Sequence, residues 1–159
     1  LVQHLPNRGM FVTEISATGV QQIYEFRAHI DGYAARLAAL RASERDVRDL
    51  KTTHLALVKA AELNDVDAFV AYDRQFYALL ARAAQNEYLA EAIPRIFNLH
   101  LRLWFFISSR RGGWREIARA HEEMTRSVCE AVARHNPDEA ELAIKMYVTK
   151  RHQDMRELL

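Results

Sequence analysis

The sequence predicts an all-α protein, an antiparallel bundle of about six helices preceded by one short β-hairpin. Three observations predict it. Among 159 residues there are only 5 Gly and 3 Pro, so material for turns is scarce. Long stretches repeat apolar residues at helical spacing. Ser, Asp and Asn recur where such stretches begin, as N-caps do.

The hairpin comes first, in "VQHLPNRGMFV" (residues 2–12). Apolar residues flank a turn-forming Pro6-Asn7-Arg8-Gly9, and Met10-Phe11-Val12 follow. A lone two-stranded hairpin is marginal in water, so its presence ahead of helices needs a reason. Residues 13–19 read as a polar joint. The first helix is expected from about Val20 to Arg41, with Ile23, Phe26, Ile30, Tyr33, Ala34 and Leu37 as its apolar stripe. Ser43 with Asp46 makes a capping box for a second helix ending near Leu63, where Asn64-Asp65 breaks it. A third spans about Val66 to Ala84, anchored by Phe69, Phe76, Leu80 and Ala83, with Asn86 as a left-handed stop. A fourth, from about Tyr88 to Ser108, contains Pro94, which kinks a helix or limits its first turn. "SRRGG" (residues 109–113) reads as a loop, and a fifth helix runs from about Trp114 to Arg134. Asn136 caps the sixth, with Pro137 at its first position and Asp138-Glu139 where the helix dipole favours acids.

Composition removes several function classes. A net charge of +1 is not the basic body of a protein that coats nucleic acid. With one cysteine, Cys129, no intrachain disulfide forms, and a reducing, cytoplasmic setting is expected. The apolar run Leu103 to Ile107 is far too short to span a bilayer, and no signal-peptide pattern opens the chain. An enzyme is not expected. The paired Glu-x-x-His motifs of a di-iron bundle are missing, and "HEEMT" (residues 121–125) lacks the second His of a zinc-protease helix.

Three stretches carry a resemblance. "LVQHLPNRGMFV" resembles the wing that ends the winged helix-turn-helix domain of GntR-type bacterial transcription regulators. "IYEFRAHIDGYAARLAALRA" (residues 23–42) resembles the first helix of the FCD-type effector domain in their FadR subfamily. "DVDAFVAYDRQFYALLARAAQN" (residues 65–86) resembles that domain's Asp-bearing helix. The resemblance implies two units: residues 1–16 as the wing of an incomplete DNA-binding domain, and residues 17–159 as the effector-binding and dimerisation domain. It implies a cytoplasmic homodimer that meets operator DNA through the full-length protein, with Asn7 and Arg8 at the wing tip near DNA. The recognition helix is expected upstream of this chain.

Such effector domains often hold a divalent metal on an Asp, a His four residues later, and a His on each of two later helices. Here Asp73 is present, but Tyr77 stands at the first His position, Thr125 at the second and Tyr147 at the last, with Thr149 as the alternative register. Hydroxyls are poor ligands for zinc or nickel near neutral pH, since a Tyr must first lose a proton with a pKa of about 10. The resemblance therefore implies a pocket without the usual cofactor metal, in which Arg27, Asp73, Tyr77, Thr125, Tyr147 and His121 bind a small organic acid or similar metabolite. A guanidinium at Arg27 either grips a carboxylate or pairs with Asp73 or Asp31. Two alternatives stay open: a residual metal site on Asp73 and His121, and a ligand-free dimerisation module. His100, Arg102, Trp104 and Phe105 are weaker candidates for the pocket wall.

Overall fold

A computed structural model describes residues 2–5, 9–12, 16–111 and 114–157 of the chain. Its elements run β1 (Val2–Leu5), β2 (Gly9–Val12), α1 (Ala17–Arg41), α2 (Glu44–Glu62), α3 (Val66–Ala83), α4 (Glu87–Arg111), α5 (Trp114–Ala133) and α6 (Pro137–Arg156). β1 and β2 pair antiparallel, Val2 opposite Val12 and Leu5 opposite Gly9. Asn7 and Arg8 lie outside the described residues. The rest is a helical bundle, as the sequence predicts.

Helix ends follow local chemistry. Ser43 and Asp46 form the expected capping box. α1 starts three residues before its expected position, because Ser16 caps it by accepting from the Gly19 amide. α4 runs through Arg111, so Ser109 to Arg111 belong to a helix and not to a loop. Pro94 sits inside α4 without ending it. Three junctions share one design: a left-handed residue followed directly by an Asp or Asn that caps the next helix. Asn64 (φ 56°) precedes Asp65, Gln85 (φ 49°) precedes Asn86, and His135 (φ 54°) precedes Asn136. Gln85, not Asn86, is thus the left-handed stop of α3. Asn86 instead accepts from the Tyr88 and Leu89 amides. At Asp65 and Asn136 the amide returns to a carbonyl five residues back, closing the preceding helix in a Schellman turn.

α1 and α6 lie antiparallel along one another. Arg36 pairs with Asp138 and Glu141, and the His135 ring bonds the Ala39 carbonyl. α3 presents Phe69, Phe76, Leu80 and Ala83 to the core, as expected. The expected stripe of α1 holds in part. Ala34 and Leu37 are buried and Ile23 and Ile30 half-buried, but Phe26 and Tyr33 are 49% and 47% exposed, whereas Tyr24, Arg27 and Asp31 are buried. The buried face of α1 combines Val20, Leu37 and small alanines with these three polar side chains, which a count of apolar residues misses. Cys129 is buried, which pushes its thiol up to about 12 and leaves it unreactive near neutrality.

Candidate functional site

α1 carries Arg27 and Asp31 one turn apart, so helix geometry alone brings them together. The Arg27 Nε donates to Asp31 Oδ2 at 2.7 Å, with the two side chains 2% and 1% exposed. This settles the Arg27 pairing on Asp31. Burial pushes the Asp31 carboxyl up, and the adjacent guanidinium opposes that shift. The Arg27 guanidinium also lies over the Tyr77 ring, 5.0 Å from its centroid. Tyr77 is fully buried, and burial holds its phenol well above 10, so it is a neutral hydroxyl.

One turn before Tyr77 on α3 stands Asp73. Its Oδ1 is 2.8 Å from His121 Nε2 of α5, but the two atoms meet without the alignment of a hydrogen bond. The His121 ring packs edge-on against Tyr147 of α6, centroids 5.1 Å apart, and tilted against Tyr77 at 6.4 Å. Burial pushes the Tyr147 phenol up as well, with Asp73 adding to the effect. Arg27, Asp73, Tyr77, His121 and Tyr147, from four helices, therefore meet in the interior.

Thr125 is not with them. It is fully buried, but its Oγ1 lies 2.8 Å from His54 Nδ1 of α2 and donates to the Glu122 carbonyl. Since the hydroxyl proton goes to that carbonyl, His54 Nδ1 carries the hydrogen that completes the pair. The spacing that puts Thr125 one turn from His121 is right, yet the helix directs it to α2. Thr149 lies on the exposed side of α6. Leu103 is buried, Phe105 is 47% exposed, and the Trp104 side chain lies outside the described residues.

The structure adds residues that the sequence did not single out. Tyr24 stacks flat on His152 (5.4 Å, 9°) and its hydroxyl sits 3.4 Å from His100 Nε2. Burial pushes the Tyr24 phenol up to about 12, and it pushes the His100 imidazole well below 6.5 with help from Arg27 and His121. Arg151 lies over the Tyr147 ring and reaches Asp154 at 2.8 Å. Helical spacing points to some of these: Tyr24 is three residues before Arg27, and Arg151 four after Tyr147. Nothing local marks His54 or His152.

Several buried atoms in this region have no hydrogen-bond partner: Arg27 Nη1, Asp31 Oδ1, Asp73 Oδ1, Tyr77 OH and His121 Nε2. A buried polar atom left unpaired costs about 1–3 kcal/mol, so such atoms are few in native interiors. Here they gather where the sequence places a pocket. Outside them, a groove of about 740 Å³ runs between α5 and α6, lined by Met124, Leu142, Met146, Tyr147 and Lys150. Tyr147 forms the wall between this groove and His121.

The residues do not fit the divalent metal that effector domains of the resembled type often hold. Asp73 offers one oxygen and His121 one nitrogen, while Tyr77 and Tyr147 are protonated phenols. Among the described residues no group of three or more His, Cys, Asp or Glu side chains gathers closely enough to hold an ion. Among them, too, no helix is long and apolar enough to cross a membrane.

Comparison with known proteins follows this geometry. The FCD domain family matches residues 22–150. An HTH-type transcriptional regulator in the TAR-I ttuE-ttuC' intergenic region of Agrobacterium vitis is 36% identical over 89 residues, 54% of this chain and 52% of that protein. The Nta operon transcriptional regulator of Aminobacter aminovorans is 27% identical over 106 residues, 66% of this chain and 50% of its own length. The chain thus spans about half the length of the curated relatives it matches. Among solved structures, McbR/YncC of E. coli superposes with a TM-score of 0.81 at 13% identity, covering 99% of this chain and 78% of that one. That likeness concerns the fold.

Proposed function

The chain belongs to the FCD domain family, and from that premise we propose that it is the effector-sensing part of a ligand-responsive transcription regulator. The effector is a small organic acid or similar polar metabolite, received by Arg27, Asp73, Tyr77, His121 and Tyr147. The observation that carries this reading is the gathering of unpartnered buried donors and acceptors on those side chains. Relatives described as transcriptional regulators support the regulatory role. In this reading residues 17–159 form the effector and dimerisation unit of a FadR-type regulator. The β1–β2 pair is the wing of a DNA-binding unit, and a homodimer binds operator DNA through the full-length protein. Effector binding shifts the placement of the two DNA-binding units by differential affinity for two arrangements.

The site works without a tightly held metal. Arg27 positions an anionic group, Tyr77 offers a hydroxyl, and Asp73 accepts from a donor on the ligand. Thermal melting against a panel of carboxylates and other polar metabolites tests the reading, since a ligand at 100 times its Kd adds about 2.7 kcal/mol of stability. Tyr77→Phe should weaken the bound compound about fivefold, the worth of one hydrogen bond near 1 kcal/mol, while the fold is retained. A panel with no shift, or affinities untouched by Tyr77→Phe, overturns it. One equivalent of zinc, nickel or manganese per chain, lost on replacing Asp73 or His121, overturns the metal-free site in favour of a residual metal centre.

A further inference from the structure

The unpartnered atoms of the interior come in both signs, and their arrangement says more than that a polar molecule binds. On one side are spare donors, Arg27 Nη1 and, over the Tyr147 ring, Arg151 Nε and Nη2. On the other are spare acceptors, Asp31 Oδ1 and Asp73 Oδ1, with His121 Nε2 beside the latter at 2.8 Å. Tyr77 OH, which serves either way, belongs to the ring that Arg27 covers and His121 touches. The charges point the same way. Arg27 is neutralised by Asp31, and Arg151 by Asp154. The Asp73 carboxylate stands 2.8 Å from His121 Nε2 without the alignment of a hydrogen bond, and near enough to Arg27 to feel its charge.

We propose that the effector is a zwitterion, an α-amino acid or a close relative, whose ammonium sits between Asp73 Oδ1 and His121 Nε2 and whose carboxylate meets Arg27 Nη1. This rests on the reading of the site as an effector pocket and names the ligand's class. Other classes leave atoms stranded. A plain carboxylate satisfies Arg27 but brings a like charge toward the uncovered oxygens of Asp31 and Asp73, which is repulsive in a medium of low dielectric. A plain amine satisfies Asp73 and leaves the guanidinium donor unpaired. A hydroxy acid gives Asp73 a hydrogen bond but no charge. A molecule with both charges meets Arg27 Nη1 and Asp73 Oδ1 together, and charge-assisted bonds are the stronger kind. The ammonium donates to the Asp73 carboxylate.

The test compares matched ligands on the unaltered protein by isothermal titration calorimetry. The probes are the twenty L-amino acids and, for each that binds, the 2-hydroxy acid and the amine with the same side chain. L-alanine, L-lactate and ethylamine make one such trio. At least one amino acid is expected to bind, with its hydroxy acid and its amine each at least tenfold weaker. Asp73→Asn keeps the side chain's shape and removes the charge that faces His121 at 2.8 Å. It should weaken the amino acid at least tenfold and move the unliganded melting temperature by only a few degrees. A hydroxy acid or simple carboxylate that binds as tightly as its amino acid overturns the zwitterion and leaves the effector pocket standing. So does an amino acid whose affinity is untouched by Asp73→Asn. Failure of all twenty amino acids at 10 mM overturns the inference, and failure of the wider metabolite panel as well overturns the pocket.

Discussion

Replacing Asp31 with Asn tests the buried pair that organises the interior. The change keeps the side chain's shape and removes its charge. Arg27 would then stand as an uncompensated cation, 2% exposed, with its Nη1 already unpaired. Breaking one partner of a buried ion pair costs about 3–5 kcal/mol, because the other charge is left in low dielectric. Stacking of the guanidinium on Tyr77 survives and is worth about 1 kcal/mol, so the low end of that range, about 3 kcal/mol, is expected. For a domain of this size that lowers the melting temperature by roughly 6–12 °C. The converse change behaves differently. Arg27→Met strands Asp31, but a carboxyl can take a proton where a guanidinium cannot lose one. Burial already holds the Asp31 carboxyl above 3.8, and loss of Arg27 removes the groups that oppose this. A raised folded pKa means stability that is full below 3.8 and lost as pH rises through the folded value, so the Arg27→Met variant should gain stability as the pH falls. Arg27→Met with Asp31→Leu should recover most of the loss, since an apolar pair of similar volume often replaces an ion pair without cost. Urea denaturation of the three variants at 25 °C measures this. An Asp31→Asn cost below about 1 kcal/mol, or a double variant as unstable as the sum of its parts, refutes the reasoning.

Thr125→Val should cost about 1–3 kcal/mol, because the His54 ring loses the hydroxyl it is paired with, whereas Thr125→Ser should keep most of the stability in the same urea assay. Gly32→Ala should stabilise by up to about 1 kcal/mol through helix propensity. The new methyl would meet Lys145 Cγ at 3.2 Å, but that side chain is 41% exposed and can shift; a clear loss of melting temperature would show that the α1–α6 seam does not yield. Stability should also fall with acid. Burial lowers the His54 and His100 imidazoles in the fold, so below about 6.5 the unfolded chain binds protons that the native one refuses, costing up to about 1.4 kcal/mol per pH unit per fully depressed histidine. Equal urea midpoints at pH 7.5 and 5.5 would contradict this.

Helices were legible because their ends are written locally. Ser43 with Asp46, Asn64-Asp65 and Asn136-Pro137 each carry their own chemistry, and each falls where the chain turns. The face of α1 was less legible. Alanine fills much of its buried side beside Val20 and Leu37, and Tyr24, Arg27 and Asp31 are polar, so hydrophobic periodicity finds Ala34 and Leu37 but also selects the exposed Phe26 and Tyr33. The site shows the same split. Asp73 and Tyr77 share a helix face by spacing, Tyr147 follows from resemblance and His121 from its place one turn before Thr125, but whether Thr125 turns toward them depends on α2. His54, the residue that holds Thr125, is 71 positions away in the chain and carries no local signal. The Asp31 pairing, by contrast, is one helical turn from Arg27 and was among the two partners that the sequence allowed.

The three left-handed junctions at Asn64, Gln85 and His135 have a mechanical meaning. Each welds two helices through a single backbone conformation, with a cap on the far side, and offers no slack for a hinge. By backbone connection α2, α3 and α4 form one frame and α5 and α6 another, with α2 packed against α5 between them. Asp73 and Tyr77 ride on the first frame, His121 and Tyr147 on the second. A molecule gripped from both sides would change the angle between two stiff levers instead of softening a loop, and α1, laid along α6, would carry that rotation toward the strands at the start of the chain.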